Sequence, residues 1–535
     1  MMFLLFSCSP SSEAYHHAKE AKSSIENMEA PFDPIAFPGD LSSQDPSGWS
    51  AVDQPFQIFA GSGVIAGDFN GDGWEDLFLT KVGYDEFYLG APDRHFIRAD
   101  EWLPHGEALS VGGAAADYDG DGDLDVYVAV SKGEDYLLRN EGDSFVDATF
   151  EAEVVRFYED QPLENEFQND SACAEWGDYD GDGDLDLVVC GTRDFYYNIE
   201  PEDLPVPATS LLFQNQGQGV FKKYPIYSFN KKPMACAFSS VQTVAGEQPL
   251  LYMVNDSKTA SFGHDVYNHL FSWNGDEFES HGPDSGLQVL LAGMGMDLTE
   301  LNGDFIPDIF VSDIGIPSLF VSLSEDSWYD GALSLNIGDL YSKQTISWGP
   351  LFGDFENDGD QDLWLAFGPI PNHLGVQENH PEQPDAWFVN DEGSFKQYTK
   401  EWDFRDNNIS RGGVLFDFDH DGRLDLVRAS LNGPVGVYWG NTDVGEDNHW
   451  LTVSLEQSGS NRFALGARID LYIEDHVQTQ WIRSAVATGS SRPPTVHFGI
   501  GEAEEIDELH IYWPDGDLDI YTALEPDQHL RLTKD

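Results

Sequence analysis

The nine residues DYDGDGDLD occupy positions 117–125 and recur letter for letter at 178–186. Around them stand four variants: DFNGDGWED at 68–76, ELNGDFIPD at 300–308, DFENDGDQD at 354–362 and DFDHDGRLD at 417–425. Successive starts lie 49, 61, 122, 54 and 63 residues apart, and the outlier is twice 61. A degenerate unit is therefore expected near residue 239, where Met234–Ser240 has the small-residue lead-in of its neighbours without their acids.

Each loop is entered by small and apolar residues, as in GVIAGD (63–68) and GGAAAD (112–117). Each is left by a short β-rich run: LFLT from Leu77, VYVAV from Val126, LVVC from Leu187, IFVS from Ile309, LWLAF from Leu363 and LVRA from Leu426. These are strand signals on both sides of a turn. Downstream of several loops comes an apolar pair followed by Asn, Gly and Phe (Leu138–Phe145, Leu212–Phe221, Leu270–Phe278, Phe388–Phe395), which reads as an outer hairpin. Four strands per tandem unit predict the blades of a propeller rather than the helices of a solenoid.

The loops also carry a chemistry. Carboxylates or amides at positions 1, 3 and 5 of a tight turn face inward, position 7 offers a backbone carbonyl, and an acid at position 9 closes an oxygen cage. In the first loop these are Asp68, Asn70, Asp72, the carbonyl of Trp74, and Asp76. The same roles fall to Asp117, Asp119, Asp121, Asp123 (carbonyl) and Asp125, and to Asp178, Asp180, Asp182, Asp184 (carbonyl) and Asp186. They fall again to Asp354, Glu356, Asp358, Asp360 (carbonyl) and Asp362, and to Asp417, Asp419, Asp421, Arg423 (carbonyl) and Asp425. Hard oxygen donors without His or Cys select calcium over magnesium and the transition metals. An EF-hand is excluded, because position 12 is Leu79, Val128, Val189, Leu365 or Arg428 instead of a bidentate Glu. Asp and Gly also favour plain turns, but five copies with full ligand spacing point to about five calcium sites. The loop of Glu300, Asn302, Asp304 and Asp308 is a weaker sixth candidate, with Phe305 where Gly is expected, and the unit near Ser239 should hold no ion.

A formal net charge of −69, from 96 acidic and 27 basic residues, excludes general affinity for nucleic acid, which requires clustered Lys and Arg. Such self-repulsion calls for counter-ions among the carboxylates. Residues 1–7 are apolar and end at Cys8, followed by a polar tract, so residues 1–30 read as a lipoprotein leader and flexible tether with Cys8 as the lipidated residue. That anchor is the one expected membrane contact, and the chain is expected to be exported, to the cell envelope or beyond. Four cysteines make no disulfide framework; Cys173 and Cys190 flank one loop on adjoining strands, and burial as small apolar residues is preferred over pairing.

The DxDGDGxxD loops between short strands resemble the FG-GAP and VCBS repeats of integrin α-chain-like propellers. That resemblance implies seven blades with calcium in the inter-strand loops. From Asn448 the chain is similar to the ASPIC/UnbV module of the cartilage acidic protein family, on NHWLTVSLE (448–456), Asn461-Arg462, Leu465–Arg468, His497–Gly501 and Trp513–Gly516. The expected organisation is all-β: a seven-bladed β-propeller with calcium loops over residues 31–445 and a small C-terminal β-sandwich-like domain over 446–535. The alternating strands ARIDLYI and IDELHIYW support the sandwich independently.

For function, the residues favour a non-catalytic binding or adhesion module for a glycan or protein partner, since propellers are rigid scaffolds whose loops carry recognition. The alternatives are a calcium-stabilised polysaccharide-acting enzyme and a structural subunit of an envelope assembly. The recognisable acids are already committed to the loops, and no catalytic or cofactor fingerprint is present. Tyr158, Tyr196, Tyr197, Trp328 and Tyr329 could stack on sugars, but packing between blades is the preferred reading. His264, Asp265 and His269 are read as surface residues rather than a second metal or catalytic site.

Overall fold

The computed structural model describes residues 32–35, 63–155, 170–192, 210–226, 235–256, 267–338, 345–369, 383–398, 409–441 and 444–534, apart from positions 132, 392 and 432–434. Cys8, Tyr158, Tyr196, Tyr197, His264 and Asp265 lie outside the described residues. The described chain is nearly all β. Its first seven sheets share a four-stranded antiparallel core. Their first strands are Val64–Gly67, Ala108–Ala116, Asp170–Gly177, Ala235–Val241, Met296–Thr299, Ser347–Gly353 and Ser410–Phe416. Each of these packs against the next, and Val64–Gly67 packs against Ser410–Phe416, so the seven sheets close into a ring.

The ring is fastened by the N-terminal segment. Phe32–Ile35 forms the outer strand of the seventh sheet, antiparallel to Gly436–Gly440, with Phe32 opposite Gly440 and Ile35 opposite Val437. A sheet completed by both ends of the ring cannot open without losing a strand's worth of hydrogen bonds. The fourth sheet, begun by Ala235–Val241, forms without an acidic loop.

Second strands such as Asp125–Val130 and Asp362–Phe367 are buried along their whole length, because sheets cover both their faces. Between the first and second sheets, Phe69, Phe87 and Phe145 pack edge to face at 5.4–5.8 Å. Such pairs are worth about 0.5–1.5 kcal/mol beyond their area burial. Trp328 is likewise buried, with its Nε1 donating to the Pro307 carbonyl at 2.9 Å, whereas Tyr329 is 44% exposed.

Two expectations are corrected. Cys173 and Cys190 form a disulfide, with Cα atoms 5.1 Å apart. A register shift between Ser171 and Ala174 brings Cys173 opposite Cys190 across the antiparallel pair. His269 is not a surface residue: it lies buried in the strand His269–Trp273, its Nδ1 within 3.4 Å of Ser280 Oγ, and desolvation lowers its pKa.

The C-terminal part is a two-sheet sandwich. One sheet orders Thr495–Gly501, His449–Glu456 and Gln528–Thr533; the other orders His476–Trp481, Arg468–Ile473, Ile506–Tyr512 and Leu518–Leu524. Leu451, Val453, Ile469, Leu471, Phe498, Leu509 and Ile511 fill the space between them. That core is continuous with Trp176, Leu187 and Phe213 of the third sheet, so the two parts share one buried cluster.

A loop of this sandwich enters the centre of the ring. Ser490 Oγ accepts the Val64 N–H at 3.1 Å, Ser491 Oγ the Ala115 N–H at 3.1 Å, Gly489 O the Gly113 N–H at 3.2 Å, and Ser484 Oγ the Trp176 N–H at 3.3 Å. Ala487 bridges Met296 of the fifth sheet. A Cβ on Gly412 would lie 2.5 Å from Thr488 O, and one on Gly63 only 1.9 Å from Gly489 O. The small residues leading into the loops are therefore what leaves room for this plug.

Candidate metal centres

Each acidic loop joins the first and second strands of its sheet, so strand geometry places its two ends. The acid at position 9 opens the second strand and is tied on both oxygens. Asp125 accepts the Tyr118 N–H at 3.2 Å on Oδ2 and the Asn140 N–H at 2.8 Å on Oδ1. Asp76, Asp186, Asp362 and Asp425 repeat this pattern with Phe69 and Gly90, Tyr179 and Asn215, Phe355 and Asn390, and Phe418 and Gly440. Position 9 thus holds the turn onto the third strand of the same sheet.

The acid at position 1 accepts N–H groups from inside the turn. Asp117 Oδ2 takes that of Gly122 at 2.9 Å, and Asp354 Oδ2 that of Gly359 at 2.7 Å. This curl needs left-handed backbone at position 6, where Gly73, Gly122, Gly183, Gly359 and Gly422 have φ between 87° and 104°.

Four loops bring three carboxylates together, with one oxygen of each within 4.8 Å of the others: Asp117, Asp119 and Asp125; Asp178, Asp180 and Asp186; Asp354, Glu356 and Asp362; Asp417, Asp419 and Asp425. These clusters could hold a metal ion. Positions 1, 3 and 9 converge, while the position-5 acids Asp72, Asp121, Asp182, Asp358 and Asp421 stand at the exposed mouth and are not in the groups. The first loop has only the amide of Asn70 at position 3, whose Oδ1 accepts the Asp72 N–H at 2.8 Å.

The loop from Glu300 is organised differently. Glu300 Oε1 accepts N–H groups from Asn302, Gly303 and Asp304, and Ser322 Oγ donates to Asp304 and Asp308. Phe305 takes φ 67° at the glycine position, with the Arg468 guanidinium 5.3 Å from its ring. Glu300, Asp304 and Asp308 do not form a converging group among the described residues.

Burial and crowding dominate the electrostatics. Desolvation pushes the Asp76 carboxyl up to about 8, Asp117 to about 7, Asp178 to about 6 and Asp186 to about 9, with neighbouring carboxylates adding to each. Asp125, Asp354, Glu356, Asp362 and Asp425 are likewise raised well above the usual carboxylate range, for the same first reason. Asp119 Oδ1 and Glu356 Oε2 are buried and accept no hydrogen bond. Buried carboxylates without donors require either a proton or a cation, and an oxygen-only donor set suits a hard divalent ion.

Several residues at these loops escaped the sequence reading. Asn140 Nδ2 donates to Phe69 O at 2.7 Å and Asn215 Nδ2 to Tyr118 O at 3.1 Å, each reaching the loop of the preceding sheet. The Asn of the outer hairpin thereby locks neighbouring blades, a role that its recurrence beside Gly could have suggested. Arg94, from the outer turn of the first sheet, pairs with Asp419 and with Asp421 at 3.2 Å, supplying the seventh loop with a fixed cation that nothing in its local sequence announces.

The C-terminal residues quoted above sit on these loops. His497 Nε2 lies 2.8 Å from Asn357 Oδ1, the Gly501 N–H donates to Asn357 O at 2.8 Å, and a Cβ on Gly499 would fall 2.0 Å from Asp354 Oδ2. Ser460 donates to Asp184, and Trp450 packs on Gly422. The sandwich therefore rests on the third, sixth and seventh sheets' turns.

Parts of the chain are similar to known families and proteins. A model described as an FG-GAP-like repeat matches residues 68–128 and 117–189, and one described as ASPIC and UnbV matches residues 457–535. Human cartilage acidic protein 1 is 35% identical over 109 residues, which cover 20% of this chain and 16% of that protein. The Xenopus tropicalis protein of the same name is 26% identical over 265 residues, covering 46% and 38%. Among solved structures, an Agrocybe aegerita lectin recognising terminal N-acetylglucosamine is 15% identical at a TM-score of 0.41, over 70% of this chain and 86% of its own. A rhamnogalacturonan lyase is 13% identical, also at 0.41, over 77% and 76%. Residues 68–189 are thus similar to FG-GAP-like repeats, residues 457–535 are similar to the ASPIC and UnbV domain, and the chain spans well under half the length of the cartilage acidic protein 1 relatives that it matches.

Proposed function

We propose that this chain is an exported, calcium-stabilised binding module without catalytic activity of its own, presenting a glycan or protein ligand with a rigid ring. The observation that carries the calcium reading is the set of four converging carboxylate groups built from oxygen donors alone, two of which hold a buried oxygen that accepts no hydrogen bond, Asp119 Oδ1 and Glu356 Oε2. The Asp–Gly loops of the FG-GAP-like repeats support the same ion. Export is supported by the Cys173–Cys190 disulfide, a bond that persists in oxidising compartments. A binding role is supported by the architecture: a closed ring, fastened at its seam and plugged at its centre, is a scaffold whose variable surface is its turns.

Elemental analysis of protein exchanged into low-calcium buffer tests the first part, with about five calcium ions per chain expected. Glycan-array binding and pull-downs, each with and without chelator, test the second. Metal-free protein whose thermal behaviour ignores calcium would sink the proposal, as would the loss of a polysaccharide substrate under the same conditions.

A further inference from the structure

The acid at position 3 of the loops is partnered differently from one sheet to the next. In the second and sixth loops, Asp119 Oδ1 and Glu356 Oε2 are buried and accept no hydrogen bond. In the third, Asp180 Oδ2 accepts an N–H from the neutral amide of Gln214. In the seventh, Asp419 Oδ1 accepts the Asp421 N–H at 3.2 Å, and its Oδ2 pairs with the Arg94 guanidinium, which also reaches Asp421 Oδ2 at 3.2 Å. A cation of the protein's own therefore takes the oxygen that the second and sixth loops leave open.

Arg94 is positioned by more than these acids. Residues 92–94 form the hairpin loop of the first sheet in which Ala91 pairs with His95, and the next residue of that hairpin, Phe96, packs edge to face on Phe418 of the seventh loop at 5.8 Å. The guanidinium lies 5.2 Å over the ring of Trp439, which is buried in the seventh sheet. Its partner Asp419 has a side chain only 9% exposed, so solvent screens the pair poorly. The seventh loop's own arginine is directed elsewhere, with Arg423 Nη2 donating to Gly445 O at 2.7 Å.

We propose that Arg94 is an affinity-setting residue, a counter-ion carried by the chain that holds calcium binding at the seventh loop weaker than at the second; this rests on the calcium reading above. A divalent ion entering the group of Asp417, Asp419 and Asp425 must either displace the guanidinium from Asp419 or share that carboxylate with a positive charge. Displacement forfeits a charge-assisted hydrogen bond, and sharing sets two cations against each other. The amide of Gln214 imposes no such repulsion on the third loop, because it is uncharged. The same pair compensates the seventh loop's acids when calcium is scarce, so the contact between the first and seventh sheets keeps its charge balance without the ion. The coupling is reciprocal: whatever calcium loses to Arg94, Arg94 loses to calcium.

The test uses the full chain and measures bound against free calcium in a chelator-buffered titration. Asp125→Asn and Asp425→Asn mark the ions of the second and seventh loops by the uptake each removes. The ion removed by Asp425→Asn should be the one that fills at higher free calcium. Arg94→Gln should move that later uptake to about tenfold lower free calcium and leave the second-loop ion where it was. The same variant should lower the melting temperature more in chelator than in saturating calcium, since the ion replaces the lost charge. If Arg94→Gln does not fold, Arg94→Lys carries the test: it keeps the charge without the fork, and the later uptake should shift in the same direction. An uptake curve that the folded variant leaves unchanged overturns the role of Arg94, as does a seventh-loop ion that fills together with the second-loop ion in the wild type; both leave the calcium reading standing. Wild-type protein that takes up no calcium overturns both.

Discussion

Asp125→Asn separates the ion from the scaffold at a single atom pair. Asp125 is fully buried, and its two oxygens accept N–H groups from Tyr118 and Asn140 while lying in the group with Asp117 and Asp119. The amide retains one acceptor and turns an NH₂ toward the other donor, so one hydrogen bond to a charged group is lost, about 1.5–3 kcal/mol. Loss of an ion present at about a hundredfold its dissociation constant removes about 2.7 kcal/mol more. Together these come to about 4–6 kcal/mol with calcium present. For a chain of this size the unfolding entropy is roughly 1 kcal/mol/K, so the melting temperature should fall by about 4–6 °C if the ring unfolds as one unit. In chelator the second contribution vanishes and only the hydrogen-bond loss remains, so the fall should shrink to about 1.5–3 °C. Scanning fluorimetry on the native Trp signal reads both, and elemental analysis should find about one calcium fewer per chain. Exposed Asp143→Asn should change stability by less than about 0.5 kcal/mol. An equal shift with and without calcium, at unchanged metal content, would refute the reasoning and leave Asp125 as a hydrogen-bond acceptor alone.

Other outcomes follow from the same geometry. Asp76, Asp117, Asp178 and Asp186 have folded-state pKa values of about 8, 7, 6 and 9, above the unfolded 3.8, so the metal-free fold holds protons that the unfolded chain has lost. Its stability should therefore fall as pH rises from about 5.5 to about 9 in chelator and stay nearly flat in millimolar calcium; a melting temperature that climbs with pH in chelator contradicts this. Gly63→Ala would drive a Cβ into the Gly489 carbonyl and should cost about 1–3 kcal/mol in thermal denaturation, whereas Gly71→Ala, with no atom within 4 Å but a φ of 69°, should pay only for its backbone strain, about 1 kcal/mol. Chelation should speed hydrogen exchange at Gly501, whose N–H rests on Asn357 of the sixth loop, before it speeds exchange in Asp125–Val130; simultaneous loss would show that the sandwich and ring respond as one.

What the residues alone determined is local. Alternating strand signals, glycines at the sharp turns and acids at fixed spacing are each decided within about nine residues, which is why the four-stranded units and their acidic loops were legible from DYDGDGDLD outward. The degenerate unit near Ser239 was reached from spacing, and a sheet stands there. What only the tertiary structure decided involves residues far apart in the chain. The Phe32–Ile35 seam, the plug at Gly489 and Ser490, and Arg94 at the seventh loop each join segments hundreds of positions apart. Even the Cys173–Cys190 bond, only 17 residues apart, turned on a one-residue register shift that pairing propensities do not encode. Side-chain chemistry specifies what a turn can bind; the closure of the ring specifies which distant groups are brought to meet it.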